Sequence, residues 1–154
     1  GLWGLSGGVW YRVKEYYYAS RSTGVQLTDQ EYVAELGRLA SGHRLRCVEA
    51  DPSAASFITA LRQAGYRVIK ANNDVLSGIR ITADLLKRGR IVICENCGDC
   101  LREMALYRWS EETGGRDAPH KDNDHAMDDM RYFAATVAES GRCEGAFCSV
   151  VRRG

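Results

Sequence analysis

Leu45-Arg46-Cys47-Val48-Glu49-Ala50-Asp51-Pro52-Ser53 is the stretch on which the reading of this chain turns. Its first six residues form a short, mostly apolar run that reads as a strand, and Asp51-Pro52 stops it. Pro52 fits the first position of a helix, with Asp51 as its cap, and Phe57, Ile58 and Leu61 supply that helix's buried side. Gly65 closes the helix, and Tyr66 to Lys70 returns as a strand. Asn73 or Asp74 opens a second helix through Ile79, Ile81, Leu85 and Leu86, which Gly89 ends; Arg90 to Ile93 is a third strand and Asn96 to Tyr107 a third helix. Strands alternating with helices imply right-handed βαβ units and a locally parallel sheet. Ligands of such sheets bind beyond the carboxyl ends of the strands, where Asp51 stands.

Upstream, Gly1 to Ser6 and the alternating Val9 to Ala19 flank Gly7-Gly8 and predict an antiparallel hairpin. Thr28 followed by Glu31 is a capping box, and Tyr32, Leu36 and Leu39 form the apolar stripe of the helix it starts. The expectation is a mixed α/β sheet of about five strands or fewer, with helices on both faces. Downstream, Ser110 to Lys121 reads as a polar loop.

After that loop comes Asp122-Asn123-Asp124-His125-Ala126-Met127-Asp128-Asp129-Met130-Arg131-Tyr132, running into the apolar Phe133 to Ala138. This is a helix start, with Asp122 or Asp124 available as cap and the acids favoured by the helix dipole. His125, Asp128 and Asp129 are three and four residues apart and project near one another. Carboxylates this close repel unless a cation neutralises them, which points to a hard divalent metal; the competing reading is a solvated, acid-rich surface helix. Asp129, about 100° around the helix from Asp128, is expected to face solvent.

The balance of 45% hydrophobic and 27% charged residues over 154 positions describes one globular domain, and no apolar run is long enough to span a membrane. A formal net charge of +1 does not identify a partner. Lys14, Lys70, Lys87 and Lys121 are the only lysines among the 21 basic residues, and the arginine excess suits phosphate recognition. Cys94, Cys97 and Cys100 have spacing that can hold zinc, but the positions at a strand end and along the next helix favour inward-facing free thiols over a metal site; a zinc-binding module stays as an alternative. With no secretory signal, disulfides are not expected. The chain opens without Met inside a strand-like run, which predicts a piece of a longer protein.

Taken in order, Val48 to Ile58, Asn72-Asn73-Asp74-Val75-Leu76-Ser77-Gly78-Ile79-Arg80, Glu103 to Trp109, and Asp124 to Tyr132 resemble the C-terminal nuclease domain of tailed-bacteriophage terminase large subunits. Trp10 to Tyr18 and the helix start at Thr28 to Tyr32 fit the same family, and the resemblance runs from the first residues to about Ala138. It implies a ribonuclease H-like fold over residues 1–140, with 141–154 a C-terminal tail or linker. The implied activity is cleavage of concatemeric double-stranded DNA during genome packaging, with two Mg²⁺ or Mn²⁺ ions held by three acids and a nearby histidine. Asp51 matches the second acid, Asp128 the third and His125 the histidine. The first acid belongs to a strand expected just upstream of Gly1 and has no match, since the only earlier aspartate is Asp29 in the helix cap.

A chain without that central strand must leave a gap, rearrange or borrow a strand, and is expected to be marginally folded or oligomeric. Arg80, Arg88, Arg90, Arg116 and Lys121, with Arg152 and Arg153, are candidate phosphate contacts. Implied partners are double-stranded DNA, the ATPase domain of the same gene product, the portal protein and the small terminase subunit, in the host cytoplasm and with no membrane. No phosphate-loop sequence of an ATPase occurs in this chain. The alternatives are another ribonuclease H-like nuclease, such as a transposase or resolvase, and an inactive fragment serving as a docking module, which the unmatched acid favours.

Overall fold

A computed structural model describes residues 1–18, 26–107, 124–139 and 147–151, the last of these by its backbone. In chain order the elements are β1 (Leu2–Ser6), β2 (Val9–Lys14), α1 (Asp29–Leu39), β3 (Cys47–Ala50), α2 (Ala55–Gln63), β4 (Val68–Lys70), α3 (Val75–Lys87), β5 (Ile91–Ile93), α4 (Gly98–Leu106), α5 (His125–Phe133) and β6 (Phe147–Val151). A π-helical turn, Ala134–Ala138, extends α5. The mixed α/β sheet expected from the sequence is present, with six strands rather than five or fewer, in the order β4-β3-β6-β1-β2-β5.

Gly7 and Gly8 take φ of 57° and 76°, the left-handed conformation that a two-residue hairpin turn demands, and β1 pairs antiparallel with β2 through Ser6↔Val9. The Thr28–Glu31 capping box forms at α1, and Asp74 caps α3 by accepting from the Ser77 amide at 2.7 Å. At β3 the expectation needs correction. Asp51 does not cap a helix starting at Pro52; its Oδ1 accepts from Ser53 N at 2.8 Å and Ser53 Oγ at 2.7 Å, closing an Asx turn, and α2 begins at Ala55.

The parallel part is also arranged differently from three neighbouring strands. β3 and β4 are parallel neighbours, but β5 pairs parallel with β2 at the far edge. The 13 residues of α3 make a rod of roughly 20 Å. That is close to the roughly 24 Å covered by the five strand spacings separating β4 from β5, so one helix carries the chain across the sheet. The third difference concerns residues 141–154, expected as a tail, and the central seat of the sheet, expected empty for want of a strand upstream of Gly1. Phe147–Val151 occupies that seat as β6, parallel to β3 and antiparallel to β1. Without a strand there, the facing amides and carbonyls of β1 and β3 would be buried unpaired.

All four residues of β3 are buried, as a strand covered on both faces must be. Val48 and Ala50 face one core with Tyr32, Leu36, Phe57 and Leu61 of α1 and α2. Cys47 joins the other core, where Trp3, Trp10, Met130, Phe133 and Val137 meet. There Phe133 stacks on Trp3 with centroids 3.9 Å apart and receives Trp10 edge-on at 5.1 Å. The helix α5 is therefore enclosed rather than lying on the surface, and every residue from Ala126 to Phe133 is buried.

Cys94, Cys97 and Cys100 are free thiols, with Cys97 and Cys100 fully buried, as their spacing suggested. Cys47, by contrast, is disulfide-bonded, against the expectation drawn from the missing signal. Burial pushes the Cys100 thiol up to about 12 from an ordinary 9.0. A raised thiol pKa contributes stability that is complete below pH 9.0 and is lost as pH climbs towards about 12. The free-energy difference between the wild type and Cys100→Ala, from urea titrations, should accordingly be flat through neutral pH and shrink across that alkaline window. A difference independent of pH up to 12 would mean that the thiol ionises as readily folded as unfolded.

Candidate functional site

The acid-rich start of α5 is not held by its own acids. Asp124 stands at the cap position without a side-chain cap bond, and Asp122 lies outside the described residues. Glu103 of α4 does the capping instead. Its Oε2 accepts from the amides of Ala126 at 2.6 Å and Met127 at 3.2 Å, and its Oε1 accepts from the Tyr17 hydroxyl at 2.7 Å. The same device fixes α4, where Glu15 accepts from the first-turn amides of Asp99 and Cys100 at 2.7 and 3.2 Å. Each carboxylate satisfies donors that a helix start leaves orphaned and sits at the positive end of the dipole. The segment after β2 thus positions α4, which in turn positions α5.

Two acids far apart in the chain engage consecutive residues of α5. Asp51, at the carboxyl end of β3, accepts from the Tyr132 hydroxyl at 3.0 Å through Oδ2. Asp128, one turn before Tyr132, accepts from Arg131 at 2.5 Å. Arg131 also donates to the carbonyl of Asn73, just beyond β4, at 3.1 Å, and its guanidinium lies 4.9 Å from the centre of the Tyr132 ring. The Asn72 amide donates to Thr136 Oγ1 at 2.7 Å, tying the same loop to the π-helical turn. Burial, reinforced by the Asp51 carboxylate, pushes the Tyr132 phenol up to about 12, so it remains a donor at neutral pH. Polar contacts thereby join the carboxyl ends of the parallel strands to α5 and the π-helical turn.

His125 is in the first turn of α5, three residues before Asp128; its Nδ1 is buried without a hydrogen-bond partner among the described residues, and its ring lies 6.2 Å from that of Tyr17. Asp129 departs from the expectation of a solvent-facing acid. It is buried and ion-paired with Arg12 of β2, itself buried. Since α5 is packed all round, the residue that points away from Asp128 points into the sheet, where only a charge partner makes its burial tolerable. Among the described residues no three His, Cys, Asp or Glu side chains are grouped to hold a metal ion. Asp51 and Asp128 already carry hydroxyl and guanidinium donors, so the described side chains as arranged do not complete a two-ion cage.

Solved structures match this fold at 46–47% sequence identity. The chain is similar to a bacteriophage large terminase. The large terminase of a thermophilic bacteriophage, in complex with ADP, matches with 47% identity and a TM-score of 0.86, over 89% of this chain and 35% of that one. The same protein in complex with ATP-γ-S matches with 46% identity and a TM-score of 0.85, over 88% of this chain and 35% of that one. The chain spans about a third of the length of these terminases. No family model and no curated protein matches. The similarity supports a terminase-related role.

Of the arginines singled out in the sequence, Arg80, Arg88 and Arg90 lie within the described residues, and all three are exposed. Arg80 and Arg88 follow one flank of α3, where Arg88 pairs with Asp84 at 3.0 Å, and Arg90 lies beside the glycine turn of the β1–β2 hairpin. Arg116, Lys121, Arg152 and Arg153 lie outside the described residues, as does the loop from Ser110 to Lys121. The sequence reading did not single out Arg131, Tyr132, Glu15 or Glu103. For Arg131 and Tyr132 the signal was available, because they continue the helical stripe of Asp128 by three and four residues.

Proposed function

We infer that this chain is the nuclease portion of a phage DNA-packaging terminase, cutting concatemeric double-stranded DNA by phosphodiester hydrolysis. The observation that supports the reading is that Asp51, at the carboxyl end of β3, accepts from Tyr132 of α5, one turn along that helix from Asp128. In this reading Asp51, Asp128 and His125 are the catalytic set and contribute ligands for Mg²⁺ or Mn²⁺; a further acid, expected upstream of Gly1, is needed to complete the cage. When bound, such ions lower the pKa of an attacking water and stabilise the departing oxygen. The chain's own residues supply the rest: Tyr132 orients Asp51, and Glu103 fixes the turn that carries His125 and Asp128. Double-stranded DNA is the proposed substrate, with Arg80, Arg88 and Arg90 as phosphate contacts; the ATPase portion, the portal and the small subunit are the proposed partners, in the host cytoplasm.

A second reading, an inactive docking module, is favoured by the hydroxyl and guanidinium donors that already occupy both carboxylates. Nicking of supercoiled DNA by a chain that includes the upstream strand separates the two. Asp128→Ala should abolish Mn²⁺-dependent nicking, a drop of about a thousandfold or more. Nicking near the wild-type rate in that variant removes Asp128 from the mechanism, and no nicking by the wild type favours the docking module.

A further inference from the structure

Cys94-Glu95-Asn96-Cys97 joins the end of β5 to the start of α4, apart from the residues assigned to the site above. The Cys97 amide donates to the Cys94 carbonyl at 3.0 Å, closing a turn whose two end residues are both cysteine. A turn closed in this way brings its end Cα atoms within about 7 Å, and a disulfide bridges Cα separations of roughly 4.4–6.8 Å. The turn is pinned to β2. The Arg12 carbonyl accepts from the Cys94 amide at 3.1 Å and from the Cys97 thiol at 3.3 Å, and Asn96 Nδ2 donates to the Val13 carbonyl at 2.9 Å. Both cysteines thus converge on one acceptor, and the Cys94 thiol lies near enough to act on the ionisation of Cys97.

Access to solvent separates the two. Cys94 is partly exposed, whereas Cys97 is fully buried. The neighbouring Cys100 is fully buried as well, with its sulfur in the core, 3.2 Å from Met130 Sδ. Thiol–disulfide exchange with a molecule in solution begins at the sulfur that solvent reaches, so Cys94 is the attacking group and Cys97 is placed to follow.

We propose that Cys94 and Cys97 form a redox-active dithiol, oxidised reversibly to a disulfide by a low-molecular-weight disulfide, which staples the turn between β5 and α4. Cys94 gives up its proton and attacks one sulfur of the oxidant, breaking the S–S bond, forming a mixed disulfide and releasing one thiol. Cys97 then loses its proton and attacks the Cys94 sulfur, breaking the mixed bond and releasing the second thiol. The two cysteines are oxidised, the oxidant is reduced to two thiols, and the cysteine protons end on those thiols. The Arg12 carbonyl loses the Cys97 donor but keeps the Cys94 amide, so the reaction orphans no buried acceptor. Burial pushes the Cys97 thiol up, so the second step quickens as pH rises. This chemistry is independent of the nuclease reading.

The test is treatment of the folded chain with glutathione disulfide, an acid quench, alkylation in denaturant and mass spectrometry, for the wild type, Cys97→Ser and Cys94→Ser. Residues 91–102 form one tryptic peptide that carries all three cysteines, and its fragmentation assigns each sulfur. In the wild type Cys94 and Cys97 should be lost to alkylation as a linked pair, Cys100 should remain a thiol, and dithiothreitol should restore the lost thiols. Cys97→Ser should stop at a glutathione adduct on Cys94, and Cys94→Ser should leave Cys97 and Cys100 unmodified. If a serine variant does not fold, the wild-type map decides alone. Cys94 and Cys97 both alkylated in the treated wild type, a glutathione adduct that persists there on Cys94, or a bond between Cys97 and Cys100 each overturns the proposal.

Discussion

Replacing Arg12 with leucine should lower the unfolding free energy by about 3–5 kcal/mol, a large fraction of the roughly 5–15 kcal/mol that holds a domain of this size together. Arg12 is 3% exposed, and its guanidinium meets Asp129, the Glu15 carboxylate at 3.5 Å and the Trp3 ring at 5.5 Å. Burial works against its charge, but Asp129 and its neighbours outweigh burial, and the net result is a guanidinium held more firmly protonated than usual. Without it, Asp129 stays in the core with, among the described residues, only the Gly1 amino group, 3.1 Å away, as a charge partner, and burial lowers the pKa of that group. The expected fall in melting temperature is about 6–20 °C. The double variant Arg12→Met with Asp129→Leu should recover most of the loss, because two apolar side chains replace a pair whose desolvation nearly cancels its attraction. A cost below about 1 kcal/mol for Arg12→Leu would show that water reaches Asp129 when its partner goes.

What the sequence made legible follows from the range over which each determinant acts. The capping box at Thr28 and Glu31, the Asp74 cap and the Gly7-Gly8 turn are settled within four residues, and each formed as read. The inward thiols of Cys97 and Cys100 follow from helical spacing alone. Strand order does not. That β5 crosses to the edge beside β2, and that Phe147–Val151 enters the middle of the sheet, depends on pairings between residues far apart, and a five-residue strand is indistinguishable from an apolar tail. Asp129 was misplaced for a related reason. An acid four residues into a helix is ordinarily solvated, and only the partner 117 positions away shows that this helix is enclosed. A shared site for Asp51 and Asp128 was an expectation from resemblance alone, whereas Arg131 and Tyr132, which engage them, lie three and four residues beyond Asp128 and were legible from periodicity.

Glu103→Ala should cost about 2–5 kcal/mol and should act locally before it acts globally. Deleting the carboxylate leaves the Ala126 and Met127 amides without their acceptor in a helix start where both residues are under 10% exposed, at about 1–3 kcal/mol for each orphaned donor. It also removes the negative charge from the positive end of the α5 dipole. Asp124 does not supply a side-chain cap, so the first turn has no described substitute to fall back on. Glu103→Gln keeps one acceptor oxygen and should lose only about 1 kcal/mol, the difference between a charged and a neutral acceptor. Tyr17→Phe, which removes the hydroxyl donated to Oε1, should fall in the same range. Hydrogen exchange read at the amides of α5 separates this capping role from general loss of packing. In Glu103→Ala, protection should drop at Ala126 to Asp128 while Leu61, in the opposite core, keeps its wild-type rate until global unfolding is reached. The turn that frays carries His125 and Asp128, so placement of those side chains should loosen with it. Unchanged protection at Ala126 and Met127 would show that another group takes over the cap, and that Glu103 is buried for its contact with Tyr17 alone.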